Sequence, residues 1–268
     1  MPAGHGAQPR SVGLQWIIAV AHAAAGVRNS NQGPRGGRRG RGADRLAFCK
    51  MRAMIFQDRA DAGRQLARAL DAWRGKRPIV FAIPRGAVPM GKIVADALDG
   101  ELDVVLTRKL GAPGNPEFAI GAVDETGWSY VSEYAASAGA TREYLDVAIA
   151  AEMQTMRRRR AEYTPVRPSL DPAGRVAIVV DDGLATGATM IAALHALRAR
   201  RPSQLICAVP VASREAIAKV RPYADDVVCL DAPEGFYAVG QFYRDFRQVD
   251  DAEVIAHLRA AGRVDRNV

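Results

Sequence analysis

The most informative part of this sequence is the stretch Val176-Ala-Ile-Val-Val-Asp-Asp-Gly-Leu-Ala-Thr-Gly-Ala-Thr-Met190. Its first five residues are all apolar, which is typical of a strand that a parallel sheet buries on both faces. Asp181 and Asp182 follow, and a loop of small and hydroxyl-bearing residues then leads into a helical pattern. The sequence therefore predicts a strand, a turn and a helix. Both carboxylates are expected at the carboxyl end of the strand, where open α/β sheets bind ligands.

The residues of this turn suit a sugar phosphate. Ionised Asp181 and Asp182 only accept hydrogen bonds, which fits the vicinal hydroxyls of a ribose. The loop after them opens a helix, so its backbone N–H groups and the helix dipole favour a phosphate. Its five residues are Ala185, Thr186, Gly187, Ala188 and Thr189. The alternative is an ordinary junction in which the acids cap the helix, but both acids, both threonines and the glycine in register favour a ribose 5-phosphate site.

The stretch resembles the signature with which type I phosphoribosyltransferases bind 5-phosphoribosyl 1-diphosphate (PRPP). From about Phe56 onward the chain is similar to a bacterial subgroup of predicted phosphoribosyltransferases. The resemblance implies an α/β fold, with a doubly wound, mainly parallel sheet flanked by helices and a small hood region. It also implies transfer of the phosphoribosyl group to a nitrogen acceptor, a nucleobase, with release of pyrophosphate. Mg²⁺ carried by PRPP and a homodimer belong to the same expectation.

Two further segments fit this family. Pro84-Arg85-Gly86 lies between a strand pattern and a helix start. The resemblance implies that Arg85 and Gly86 form the loop that holds the pyrophosphate. An arginine matches phosphate oxygens bidentately, and a glycine lets the backbone approach closely. The alternative is a turn with a solvated arginine.

The second segment is basic. Arg108 and Lys109 follow the strand pattern 102–107, and residues 110–116 are rich in glycine and proline. The resemblance implies a mobile catalytic loop whose basic residue closes over the diphosphate. Lys109, Arg108 and Arg85 are therefore the catalytic candidates. The alternative for Arg108 and Lys109 is a solvated strand end.

The acceptor side is less defined. Hypoxanthine–guanine enzymes of the family carry an Asp at the first loop position, where this chain has Ala185, as adenine and uracil enzymes do. The general base is therefore left open. A late segment, residues 233–246, contains five aromatic residues, and Phe236 or Tyr237 could stack on a base. Alternatively, these rings pin the C-terminal helix to the sheet.

Charge divides the chain into two parts. Residues 1–53 contain nine of the 37 basic residues and one of the 29 acidic residues, which leaves 28 of each for residues 54–268. We therefore expect a neutral phosphoribosyltransferase domain over 54–268. Residues 1–53 are interpreted as a disordered basic leader, or as an artefact of the translation start, since Met51 or Met54 could be the working start.

Two further expectations concern the cellular location of the protein and whether it binds nucleic acid. The apolar run 14–27 is too short to span a bilayer and imitates a signal peptide only faintly. Because PRPP is an intracellular metabolite and the cysteines show no disulfide spacing, we expect a cytoplasmic protein without a membrane partner. A non-catalytic regulator that senses PRPP or nucleotides and binds nucleic acid is the alternative function. The neutral 54–268 part argues against nucleic acid.

The spacing of apolar residues also predicts which segments form helices and which form strands. Helices are expected at 58–73, 87–98, 141–163, 187–200, 213–220 and 251–261, the third ending in the run Arg157–Arg160 as a solvated basic end. Strands are expected at 78–83, 102–107, 175–181, 204–210 and 226–230, with a hairpin of 118–123 and 128–131.

Overall fold

A computed structural model of the chain describes residues 54–262, so the leader 1–53 lies outside the described residues. The six α-helices of this part are α1 (Arg59–Ala69), α2 (Val88–Ala97), α3 (Arg142–Tyr163), α4 (Ala188–Arg198), α5 (Arg214–Val220) and α6 (Asp251–Ala261). The eight strands are β1 (Ile79–Ala82), β2 (Glu101–Val104), β3 (Thr107–Ala112), β4 (Asn115–Asp124), β5 (Ser129–Val131), β6 (Val176–Val180), β7 (Gln204–Val211) and β8 (Asp226–Asp231). Among residues 54–262, no helix is long and apolar enough to cross a membrane.

A five-stranded parallel sheet forms the centre, in the order β2-β1-β6-β7-β8. Strand β1 is buried at all four positions, and β6 at four of its five. Two apolar clusters cover the two faces of this sheet, so alternate residues of each strand, such as Val80 and Phe81, face different clusters. The predicted doubly wound α/β sheet flanked by helices is confirmed, because β6 is central and its carboxyl end meets those of β1 and β7.

A smaller antiparallel sheet, β3-β4-β5, forms a separate layer. It packs on α4, where Ala122 of β4 meets Ala188 and Ala192. Asp124, fully buried at the end of β4, accepts hydrogen bonds from the turn that follows and lies 3.2 Å from Nδ1 of His195. The predicted hairpin around residues 124–127 is confirmed, and this sheet forms the hood region expected from the resemblance.

The segment 110–116 differs from the expected irregular loop. Strand β3 continues to Ala112 and pairs with β4, so only the turn around Gly114 remains between the two strands. The chain completes this hairpin because Gly114 has a φ of +73°, which a tight turn requires, and Gly111 lets Pro116 approach closely. The predicted strand 102–107 is accordingly two strands, β2 in the large sheet and β3 in the small one.

The basic run at the end of α3 is only partly solvated. Arg157 and Arg158 are exposed, as expected. Arg160, however, forms a bidentate pair with Glu125, and Arg159 approaches Asp251 at 3.8 Å. The interpretation as a wholly solvated helix end was wrong for these two arginines, because α3 lies across the small sheet and the start of α6.

The first described residues join a segment near the end of the chain. Phe56 is fully buried and forms a parallel bridge with Tyr243. Its N–H donates to the carbonyl of Phe242 at 2.8 Å, and its carbonyl accepts from the N–H of Arg244 at 2.9 Å. Asp58 then caps α1, as expected, by accepting from the N–H of Asp61. This pairing places the start of α1 beside the carboxyl end of β6.

Candidate active site

The two acids lie where the sequence predicts them, directly after β6. The side chain of Asp181 accepts the N–H of Asp182 at 2.9 Å. Asp182 is held on two sides, because Arg59 donates to its carboxylate and the hydroxyl of Tyr243 donates to its carbonyl at 2.7 Å. Neither acid caps α4, whose N-cap is Gly187. The capping alternative is therefore wrong.

Arg59 is a member of this site that sequence reasoning missed. Its Nε and Nη2 lie 3.0 and 2.9 Å from the same oxygen of Asp182, Oδ2. Its Nη1 donates to the carbonyl of Arg247 at 2.7 Å, and its guanidinium lies 3.9 Å from the ring centroid of Phe246. The packing of α1 on α2, β7 and β8 and the pairing of Phe56 with Tyr243 bring Arg59 here, and the sequence carries no signal for these long-range contacts.

The loop 185–189 leaves backbone N–H groups unused at the start of α4. Leu184, just ahead of it, pairs with β7 and the residues after it, and the hydroxyl of Ser213 donates to the carbonyl of Ala185 at 2.9 Å. Gly187 has a φ of +80° and backs onto α5, where an added Cβ would lie 3.0 Å from Val220. Within residues 54–262, the N–H groups of Ala185, Thr186 and Gly187 donate to no protein acceptor, so they remain available to an anion.

The Pro84-Arg85-Gly86 turn adjoins the acids. The peptide bond between Pro84 and Arg85 is cis. A Cβ at Gly86 would lie 2.3 Å from Oδ2 of Asp182, so only glycine fits here without a shift of the carboxylate. Arg85 is paired with Asp251 at 3.2 Å, and Tyr163 also donates to that carboxylate. Burial raises the pKa of Asp251, but the hydrogen bond from Tyr163 and the charges of Arg159 and Arg85 outweigh it and lower the pKa.

Arg108 and Lys109 are neighbours on β3 and therefore point to opposite faces of the small sheet. Arg108 pairs with Glu152 of α3 at 2.6 Å. Lys109 is exposed, forms no ion pair within 4 Å among the described residues, and lies close enough to the acids to lower the pKa of both Asp181 and Asp182. The structure thus brings Lys109 toward the predicted site and Arg108 toward α3.

The electrostatics of the acids follow from their burial. Burial is the main cause that raises the pKa of Asp181 well above its usual range, and the negative charge of Asp182 adds to it. Burial also raises the pKa of Asp182, but the charge and hydrogen bonds of Arg59 oppose this rise. Burial thus disfavours the ionised form of the pair, and the nearby cations Arg59 and Lys109 favour it.

The aromatic segment divides into two groups. Phe242 and Tyr243 are buried, and Phe236 packs on Phe242 with a centroid distance of 5.1 Å, so these rings fasten the segment to the core. Tyr237, by contrast, is 89% exposed. Phe236 and Tyr237 consequently differ in what they can offer to a base: Phe236 is largely committed to packing, and Tyr237 is available.

A family profile described as phosphoribosyl transferase domain matches residues 53–247, which include each residue of the site described above except Asp251. The chain belongs to this phosphoribosyltransferase family. The resemblance to this family that its motifs indicate is confirmed.

The similar proteins agree with this family. Two curated proteins from Mycobacterium tuberculosis, of strains CDC 1551 / Oshkosh and ATCC 25618 / H37Rv, bear the name of a phosphoribosyl transferase and are each 40% identical over 210 residues, or 78% of this chain. The chain spans about half the length of these relatives (47%). The crystal structure of the protein TT1426 from Thermus thermophilus is 45% identical, with a TM-score of 0.65 over 77% of this chain and 99% of that one.

Proposed function

We propose that this protein transfers the 5-phosphoribosyl group of PRPP to a nitrogen acceptor, a nucleobase, and releases pyrophosphate. The observation that carries the proposal is the arrangement at the end of β6: two carboxylates, followed by a loop with free N–H groups at the start of α4. Acceptor-only groups beside an anion-binding loop match a ribose 5-phosphate, since its hydroxyls donate and its phosphate accepts.

Each group has a distinct task in this proposal. The acids hold the ribose hydroxyls, and residues 185–189 hold the 5-phosphate. Arg85 and Gly86 bind the diphosphate, and Lys109 supports its departure. Breaking of the C1–oxygen bond develops positive charge on the ribose and negative charge on the diphosphate, so a cation that meets the diphosphate lowers the barrier. Arg108 would have to leave Glu152 to take part, so Lys109 is the stronger candidate.

Mg²⁺ is part of the proposal as an ion that PRPP carries, with no direct protein ligand. Among residues 54–262, no three His, Cys, Asp or Glu side chains form a metal-binding group. The chemistry still fits, because Mg²⁺ prefers oxygen ligands and commonly takes most of them from phosphates and water. When bound, it neutralises charge on the diphosphate. Arg85 and Lys109 then orient the same group and exclude other orientations.

The acceptor is proposed only by class. Ala185 supplies no carboxylate to the base. Tyr237, which follows strand β8, has an exposed ring that could stack on the base. Phe236 would support that segment from beneath. A homodimer and a cytoplasmic location remain predictions from the resemblance.

The decisive experiment is a panel of purine and pyrimidine bases, each incubated with the full chain, PRPP and Mg²⁺ and assayed for pyrophosphate. At least one base should give release that depends on both base and enzyme. The matched control is the chain with Asp181→Asn and Asp182→Asn. If no base supports release, while the chain binds RNA or DNA in a salt-dependent way, the nucleic-acid-binding regulator is the better account.

A further inference from the structure

The two acids of the site are unequal, although they are adjacent and identical in type. Oδ2 of Asp182 accepts two hydrogen bonds from Arg59 and faces the backbone of Gly86, where no side chain would fit. Its side chain is 17% exposed, and that of Arg59 is 11% exposed. The carboxylate of Asp181 accepts only the N–H of Asp182 among the described residues.

From this difference we infer that Arg59 is a positioning residue that divides the work of the pair, with Asp181 as the main acceptor for the ribose hydroxyls and Asp182 as the counterion of Arg59. The inference rests on the proposed function, because it assigns roles within the same site. Oδ2 of Asp182 already accepts two charged hydrogen bonds and has little capacity left for a substrate hydroxyl, so Asp182 offers mainly Oδ1. Asp181 accepts no charged hydrogen bond among the described residues and keeps its Oδ2 for the substrate.

Arg59 also connects three segments around the substrate. It holds Asp182 after β6, touches the position of Gly86, and binds the carbonyl of Arg247 while its guanidinium covers Phe246. A lysine at position 59 could supply the charge but not this set of directions, since only the planar guanidinium offers donors on several edges. Charge and geometry can therefore be separated by substitution.

The charge of Arg59 has its own consequence. The groups that face the acids are Arg59 from α1, Lys109 from β3, Tyr243 from the late aromatic segment and Cys207 from β7. Only Arg59 and Lys109 are cations, and both favour the ionised acids. Loss of Arg59 should therefore raise the pKa of the pair further, so that PRPP binding is lost at a higher pH on acidification.

The test compares PRPP affinity by calorimetry for the full chain with Asp181→Asn, Asp182→Asn, Arg59→Lys and Arg59→Met, each from pH 5 to pH 8. Arg64→Met is the matched control, because Arg64 lies on the same helix and makes only an exposed 3.9 Å pair. We expect Asp181→Asn to weaken binding at least about tenfold and Asp182→Asn to weaken it less. We call the pH below which PRPP binding is lost the acid limit of binding, and Arg59→Met should move this limit to a higher pH. Arg59→Lys should restore that limit but not the full affinity.

The outcomes are distinct. Equal losses for the two Asn variants, or a larger loss for Asp182→Asn, would overturn the division of roles, and this comparison holds even if Arg59→Met fails to fold. An unmoved acid limit in a folded Arg59→Met protein would show that Arg59 only braces the fold. The ionisation of PRPP itself is common to all variants and cancels. Absence of PRPP binding by the unaltered chain would instead refute the proposed function, and with it the roles assigned here.

Discussion

The large parallel sheet and the small antiparallel sheet present their charged groups to the site in opposite ways. On the large sheet, Asp182 is fixed by Arg59 and Tyr243, and the strand before it is buried. On the small sheet, Lys109 is exposed and unpaired within the described residues, and the first half of β4 is exposed. The acids are held in place before any ligand arrives, and the lysine is not.

This contrast suggests a division of function between the sheets. A preorganised group contributes to binding, because no ordering cost remains when the substrate arrives. An exposed side chain without an ion-pair partner, such as Lys109, can take its place later, as groups on catalytic lids do. The large sheet should therefore control the affinity for PRPP, and the small sheet should control turnover.

The largest effect is expected from removing the charge of the fixed acids. Asp181→Asn with Asp182→Asn takes away charged acceptors, each of whose hydrogen bonds contributes about 1.5–3 kcal/mol. PRPP affinity should fall at least about tenfold per lost bond, and about a hundredfold if two are lost. Calorimetric titration measures this, with circular dichroism to verify the fold. Unchanged PRPP binding by the double variant would rule out this site.

Turnover should respond to the exposed lysine. If Lys109 meets the diphosphate mainly as it departs, Lys109→Ala should lower kcat about a hundredfold with little change in PRPP binding. Lys76→Ala is the control, as an exposed lysine outside the site. Arg108→Ala should lower kcat less, because Arg108 is paired with Glu152.

Hydrogen exchange adds a second measurement for the same lysine. The exposed tip of the hairpin, residues 113–118, should exchange quickly without ligand and slow down with PRPP and Mg²⁺. If Lys109→Ala weakens binding as much as it slows turnover, Lys109 is a static ligand. If it alters neither, Lys109 is only a solvated position on β3.

A smaller effect should appear in stability. Burial, and next the charge of Asp182, raises the pKa of Asp181 in the folded state. A carboxyl group whose pKa is higher in the folded state than in the unfolded state destabilises the fold as the pH rises. This loss begins near the unfolded pKa, about 4, and grows until the pH reaches the folded pKa. Asp181→Asn should therefore raise Tm at pH 7 by a few degrees, since about 1 kcal/mol corresponds to roughly 2–4 °C in a domain of this size. The gain should shrink near pH 4.

Differential scanning calorimetry without ligand checks this sign. Asp96→Asn is the control, because Asp96 is 60% exposed on α2. A lower Tm for Asp181→Asn at pH 7 would mean that the carboxylate is structural. A higher Tm together with weaker PRPP binding would show a site that gives up stability for function.

No effect is expected from residues 1–53. The groups that bind PRPP in the proposal lie on the two sheets and on α1, all after Met54. A chain that begins at Met54 should match the full chain in Tm and PRPP affinity. A large loss of either property would mean that the leader docks on the domain and that the predicted boundary is wrong.

The sequence was informative where a structural feature is formed by residues that are neighbours along the chain. The run before Asp181 predicts a buried strand, and the glycine and threonines after it predict a turn that opens a helix, so both could be placed without coordinates. The helices and the hairpin at 124–127 followed from periodicity in the same way. The stretch 110–116 was misjudged because glycine and proline mark both irregular loops and tight hairpin turns.

The contacts between distant segments could not be read in this manner. Arg59 meets Asp182 across 123 positions, and Arg85 meets Asp251 across 166. Arg59 looks like a solvated surface residue in the sequence, since charged side chains are mostly exposed. Arg85 is a candidate from the resemblance, but its pairing with Asp251 could not be predicted. The packing of α1 and α6 near the end of the sheet brings both contacts about.

The bridge between Phe56 and Tyr243 has a consequence for how the protein is made. A ribosome releases Arg59 early, but Arg247, its partner across 188 positions, emerges near the end of the domain. Contacts between such distant residues form late and slowly, and domains generally fold as units during synthesis. A nascent chain that stops before Tyr243 therefore contains all five strands of the parallel sheet, but Asp182 lacks the hydrogen bond from Tyr243 and Arg59 lacks the carbonyl of Arg247. The binding site should be the last part of the molecule to mature.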